Sequence, residues 1–223
     1  MYLRTSPFAA GLHRGEKKME IWLVRHGETA LNAARILQPA DTPLSAHGLR
    51  QAQALAERLA TEPIAGILSS DLPRAHQTAQ AIASRTGHVL RTTALLHERS
   101  FGDWRGQPYD SLSTDPLAMD AAPPGGESTA LFAERCSQAF EQALQLQAEL
   151  GGPLVVVTHG LVIRQMLAAL PLSALSGVVE QPRMGNTSLT IFDAAPPHSV
   201  RLLNCVRHLA GGLTEGASSL SGG

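Results

Sequence analysis

Two histidines stand in the same setting. Ile21, Trp22, Leu23, Val24 and Arg25 form a mostly apolar run of strand length that stops at His26-Gly27, and Leu154 to Thr158 is a second run that stops at His159-Gly160. Groups at the carboxyl ends of parallel strands face a common crevice in open α/β sheets, so both imidazoles are expected to meet one ligand there. Arg25 precedes the first histidine, and Arg74 lies in the first turn after a third apolar run, Ile64 to Ser69. Two guanidinium forks beside two imidazoles make a cationic pocket, and such forks suit a tetrahedral oxyanion; phosphate is the obvious guest. Helix N-termini expected after His26 and His159 would add N–H groups, and Gly27 and Gly160 would let an anion come close. Glu98, in the loop after a fourth candidate strand, is placed to supply a proton, although on spacing alone Glu127 and Asp103 compete with it. A neutral imidazole is a nucleophile, and flanking arginines disfavour its protonated form. Phosphoryl transfer needs mostly positioning and charge stabilisation, so fixed cations suffice and no metal is called for.

The duller alternatives are exposed loop histidines, and an Arg74 that merely pairs with Asp71 on a helix surface. The other six histidines within the working domain, His47, His76, His88, His97, His198 and His208, lack HxxxH or HExxH spacing, so they are expected to be surface or structural and no metal ligand set is proposed.

The elements that must position these groups alternate along the chain. After the first strand, Ser45 is set to cap a helix carrying Leu49, Ala52, Leu55, Ala56 and Leu59 at helical spacing, which ends before Pro63. The strand Ile64 to Ser69 leads to a second helix with Asp71 as the expected N-cap, Pro73 in its first turn and Gly87 at its end. His88 to Thr93 is a further candidate strand, and Leu95 to Gly126, with scattered Gly, Pro and Asp, reads as a long functional loop. Glu127 to Leu150 is expected to be a long helix, followed by the second histidine strand, a helix over Leu161 to Leu170, and strands at Thr187 to Asp193 and Val200 to Val206. Such alternation predicts a three-layer α/β/α domain with a mostly parallel central sheet.

Composition limits the partners. A chain of 223 residues with net charge -1 is read as one domain, whose ligand is a small phosphorylated metabolite rather than nucleic acid. Residues 1–18 are expected to be a disordered extension, 19–208 the working domain, and 209–223 a flexible Gly/Ser-rich tail. No stretch is long and apolar enough to span a membrane. The two cysteines, Cys136 and Cys205, lie far apart without CxxC spacing; they are read as buried hydrophobes in a cytoplasmic protein, with a homodimer one possible assembly.

The motif text LVRHGETALN at 23–32, DTPLSAHGLRQA at 41–52, SSDLPRAHQTA at 69–79, ERSFGDWRG at 98–106, PPGGES at 123–128 and VVVTHG at 155–160 resembles the histidine phosphatase, or phosphoglycerate mutase-like, superfamily. The resemblance implies a phosphoglycerate mutase-like fold, with His26 attacking phosphorus, Arg25, Arg74 and His159 holding phosphoryl oxygens, and Glu98 protonating the leaving group. It adds Asn32 and the Gly160 backbone to phosphate binding, and implies no cofactor. Gln38 stands where members commonly have Gly, and the long basic insertion of the cofactor-dependent mutases is missing between Gly106 and Gly126. That favours the smaller phosphatase branch, hydrolysing small phosphomonoesters; the alternatives are a cofactor-dependent phosphoglycerate mutase, an alpha-ribazole phosphatase, or a phosphate-binding module without turnover. Gln38, Arg99, Phe101 and Trp104 are the expected specificity determinants.

Overall fold

The architecture is seen in a computed structural model that describes residues 18–116, 118–170 and 183–213. The expected extension falls outside these residues except for Lys18, and the expected tail except for 209–213. The strands are β1 (Glu20–Arg25), β2 (Gly66–Ser69), β3 (Leu90–Thr92), β4 (Leu154–Thr158), β5 (Leu189–Asp193) and β6 (Val200–Cys205). The helices are α1 (Ala30–Ala33), α2 (Ala46–Leu59), α3 (Pro73–Thr86), α4 (Thr129–Leu150) and α5 (Gly160–Ala168).

The strands form a single sheet in the order β3-β2-β4-β1-β5-β6. Its β3-β2-β4-β1 portion is parallel, and β5 and β6 close it antiparallel. Buried strands in such a sheet are apolar on both faces, which is why β1 and β4 read as continuous rather than alternating runs. On one face Ile21, Leu23, Leu154 and Val156 pack with Phe132, Cys136, Ile163 and Phe192 beneath α4 and α5. On the other, Trp22, Val24, Val155 and Val157 pack with Leu55, Leu59, Ala75 and Ile82 from α2 and α3. This is the expected three-layer α/β/α arrangement.

Helix starts follow local chemistry. The Ser45 hydroxyl accepts the Gly48 N–H (3.0 Å) at the head of α2, and Ser128 does the same for Leu131 (3.2 Å) at the head of α4. The expected Asp71 cap of α3 is not made: Leu72 holds that position without a side-chain bond, and the Asp71 carboxylate pairs with His97 instead. Gly87 ends α3 in the left-handed conformation, as its position predicts. Among the described residues of the region 95–126 there are short 3-10 turns, at Ala94–Leu96, Gly102–Trp104 and Tyr109–Ser111, and an isolated antiparallel bridge from Pro108 to Ile36. Beyond 208, Leu209 is buried and the Leu213 carbonyl accepts a bond from the Gln51 amide on α2.

Candidate active site

Sheet register brings the two histidines together. Arg25 lies opposite Thr158 in the β1–β4 ladder, and the His26 N–H extends that ladder to the Thr158 carbonyl at 2.9 Å. His26 and His159 therefore leave adjacent strands at the same level, with ring centroids 5.2 Å apart and planes inclined at 59°. The next strand over contributes Ser70, whose N–H bonds the Val157 carbonyl (2.9 Å) and whose hydroxyl lies 2.9 Å from His159 Nε2.

The hydrogen bonds of His26 set its chemistry. Nδ1 is 2.7 Å from the Gly27 carbonyl, which can only accept, so Nδ1 carries the proton and Nε2 of the neutral ring keeps its lone pair. Nε2 is buried and has no hydrogen-bond partner among the described residues; His159 Nδ1 is in the same position. Burial first, then the charges of Arg74 and Arg25, hold the His26 pKa well below the ordinary histidine value. His159 is lowered likewise by burial, Arg74 and His26.

Both arginines are fully or nearly fully buried. One Arg25 amino group donates to the Met184 carbonyl (2.5 Å), and Arg74 reaches the Pro39 carbonyl (3.2 Å), not Asp71. Burial, offset in part by Glu98 and reinforced by Arg105 and Arg25, takes Arg74 down to about 10, so it remains a cation at neutral pH. Glu98 is buried beside them, one carboxylate oxygen accepting the Arg99 N–H (3.0 Å) and the other the Leu161 N–H (3.2 Å). Desolvation raises its pKa above the usual carboxylate value, against the pull of those two N–H groups, Arg74 and Arg25.

A second tier supports the loop after His26. Thr29 and Asn32 form a capping box on α1, and the Asn32 amide donates to Asn186 (3.2 Å), whose own amide donates to the His26 carbonyl (3.1 Å). The Thr29 hydroxyl meets the buried Gln38 amide oxygen at 2.7 Å, and Gln38 Nε2 is left without a hydrogen-bond partner among the described residues. The four-residue α1 is too short to add much dipole at His26, whereas α5 begins directly after His159. Gly27 is also required by packing: a Cβ there would lie 2.6 Å from the Gly48 carbonyl of α2.

The structure thus brings Arg25, His26, Arg74, Glu98 and His159 into one buried cluster, with Asn32 and Gly160 at its border. Glu127 is removed from the contest for the proton donor, because its carboxylate is taken by Arg135 and the Ser100 N–H. Arg99 and Phe101 brace the loop: the Arg99 guanidinium donates to the carbonyls of Met119 (3.0 Å) and Glu127 (3.2 Å) above the buried Phe101 ring. Ser70 and Asn186 were not legible as site residues. Ser70 alone carried a signal, as the residue following a strand that ends beside the histidines. Among the described residues no group of three or more His, Cys, Asp or Glu side chains is placed to hold a metal ion.

Known proteins place this architecture. A buried pair of imidazoles among arginines, at the carboxyl edge of a mostly parallel sheet, is the site of an α/β enzyme that handles phosphoryl groups. Residues 21–205 match the model of the histidine phosphatase superfamily (branch 1). A probable phosphoglycerate mutase GpmB of Yersinia pestis is 35% identical over 185 residues, covering 78% of this chain and 85% of that protein. The mycobacterial glucosyl-3-phosphoglycerate phosphatase superposes with a TM-score of 0.69 at 31% identity, over 83% of this chain and 98% of that one. A putative alpha-ribazole-5'-P phosphatase from Escherichia coli K-12 superposes with a TM-score of 0.71 at 27% identity, over 85% and 97%. The chain belongs to the histidine phosphatase superfamily and is an enzyme of its phosphatase type.

Proposed function

We propose that this enzyme hydrolyses small phosphomonoesters through a phosphohistidine formed at Nε2 of His26, without a metal ion. The observation that carries the reading is the Nδ1 bond to the Gly27 carbonyl, which leaves Nε2 as a neutral, buried lone pair beside two arginines. In the first half-reaction Nε2 attacks phosphorus, the bond from phosphorus to the ester oxygen breaks, and the Glu98 proton passes to the departing oxygen. Arg25 and Arg74 meet the charge on the equatorial oxygens. His159 donates from Nδ1 when the Ser70 hydroxyl donates to its Nε2, a tautomer compatible with their 2.9 Å separation. Asn32, the Gln38 amide and the Gly160 backbone complete the phosphate cradle. In the second half, Glu98 takes a proton from water as the water attacks phosphorus and the phosphorus–nitrogen bond breaks, returning neutral His26 and inorganic phosphate.

The ligand on this reading is a small phosphorylated metabolite, the working domain is 19–208 extended to 213, and free Cys136 and Cys205 suit a reducing compartment such as the cytoplasm. The test is release of phosphate from p-nitrophenyl phosphate and 3-phosphoglycerate, with EDTA present, by wild type and His26→Ala. Loss of turnover in His26→Ala with full activity in EDTA is expected; EDTA-sensitive turnover would overturn the metal-free mechanism. The kinship to a probable phosphoglycerate mutase keeps a second reading in view. Conversion of 3-phosphoglycerate to its 2-isomer, primed by 2,3-bisphosphoglycerate and without phosphate release, would establish the mutase.

A further inference from the structure

The chain on either side of Glu98 is held by one ion pair that belongs to neither the phosphate cradle nor the core. Arg135, on the second turn of α4, directs one amino group to the carbonyls of Leu95 (2.9 Å) and His97 (2.7 Å) and brings the other within 3.4 Å of the Glu98 carbonyl. The remaining edge of the same guanidinium forks onto Glu127, Nε to Oε1 at 2.8 Å and the second amino group to Oε2 at 2.7 Å. Glu127 then turns back to the chain beyond the acid. Its carboxylate accepts the Ser100 N–H (2.8 Å), its own N–H donates to the Ser100 carbonyl (2.8 Å), and its carbonyl accepts from the Arg99 side chain (3.2 Å). Residues 95–97 are thereby fixed from one side of Glu98 and residues 99–100 from the other, through side chains anchored at the head of α4.

We propose that the Arg135–Glu127 pair is the positioning device of the general acid, holding the Glu98 carboxyl in its buried pose; the proposal rests on the phosphohistidine reading above. The chemistry of the pair fits the task. A planar guanidinium presents its donors in a rigid fork, so three carbonyls and a carboxylate can be held in one plane, whereas a lysine ammonium could satisfy only part of that set. The pair is largely shielded, with side-chain exposures of 17% and 23%, so solvent competes little for its bonds. Burial alone would push the Glu127 carboxyl up, but the Arg135 bonds and the Ser100 N–H pull it below the ordinary value, so it stays charged and bound. Loosening the pair frees the backbone that carries Glu98 without touching His26, Arg25 or Arg74. The nucleophile and the phosphate cradle are then expected to work as before while proton delivery suffers.

The test compares phenyl phosphate with p-nitrophenyl phosphate, two esters of similar shape, of which only the first needs its departing oxygen protonated. Values of kcat/KM, which report the first half-reaction, are measured for wild type, Glu98→Gln, Arg135→Lys and Glu127→Gln. General acid catalysis is worth roughly 10² to 10⁴ in rate; Arg135→Lys and Glu127→Gln are expected to lose about tenfold on phenyl phosphate and less than about threefold on p-nitrophenyl phosphate. That pattern reproduces Glu98→Gln in milder form, with the basic limb of the pH profile displaced toward lower pH as Glu98 becomes more hydrated. Equal losses on both esters, or none on either, would overturn the positioning role. If Arg135→Lys fails to fold, Glu127→Gln, which retains an acceptor for the Ser100 N–H, decides the matter alone. Wild-type turnover that survives His26→Ala would instead strike at the phosphohistidine reading, a result separable from the contrast between the two esters.

Discussion

Proton placement at His26 and Glu98 governs what this site can do. The His26 ring is locked with its proton on Nδ1 and its pKa lowered by burial, Arg74 and Arg25, so it stays neutral, as the proposed nucleophile must be, below pH 6.5. Glu98 is displaced the other way by desolvation, so its carboxyl holds a proton above the ordinary carboxylate range. Two groups whose environments push their pKa values apart suit the nucleophile and acid roles proposed for them. The expected kcat/KM profile on a phenyl ester shows no acid limb near pH 6.5, and falls as pH rises through the elevated Glu98 value. Glu98→Gln should lower the rate by about 10² or more and remove that basic limb. A profile in which Glu98→Gln keeps the basic limb would assign it to another group.

At the scale of elements, the His26 loop and α2 are pressed together through two glycines. A Cβ on Gly48 would lie 2.0 Å from the Glu28 carbonyl, and one on Gly27 would lie 2.6 Å from the Gly48 carbonyl. Neither neighbour is a flexible side chain, so the backbone itself has to move. Gly48→Ala should therefore cost on the order of 3 kcal/mol in urea unfolding, despite the gain in helix propensity that Ala brings to an ordinary helical site. It should also depress turnover, because the shifted chain carries His26. A loss under about 0.5 kcal/mol would show that the contact relaxes freely. The same junction is tied by Ser45, which caps α2 and donates to the Glu28 carboxylate at 2.8 Å. The DTPLSAHG text was legible as a helix start. That its glycine serves close approach to the loop after His26, and not helix flexibility, was visible only once α2 was seen lying against residues 27–28.

For the molecule as a whole, the buried site makes stability depend on pH. His26 and His159 both have folded-state pKa values below 6.5, so below that pH the unfolded chain takes up protons that the folded chain refuses. Their contribution to stability is therefore present above pH 6.5 and lost as pH falls toward the depressed folded values, at up to about 1.4 kcal/mol per pH unit for each imidazole. Thermal melts should show Tm falling from about pH 6 downward, with a shallower fall in a His26→Asn, His159→Asn double variant; identical slopes would assign the acid sensitivity elsewhere. The sequence by itself determined the alternation of strands and helices, the apolar strands, the paired His-Gly exits and the family, because these are written in short-range patterns of side-chain type. It also marked Arg25, Arg74 and Glu98, though Glu98 was preferred to Glu127 only through the family resemblance. The tertiary structure decided what depends on contacts between distant segments. It set which imidazole nitrogen bears the proton, through the Gly27 carbonyl, and joined Ser70 to His159 and Asn186 to the His26 carbonyl. It also gave Glu127 to Arg135 and Asp71 to His97, and bound the Arg99 guanidinium to loop carbonyls. Charged side chains have several partners in reach by type alone, and only the packed backbone fixes which carbonyl or carboxylate lies within 3 Å.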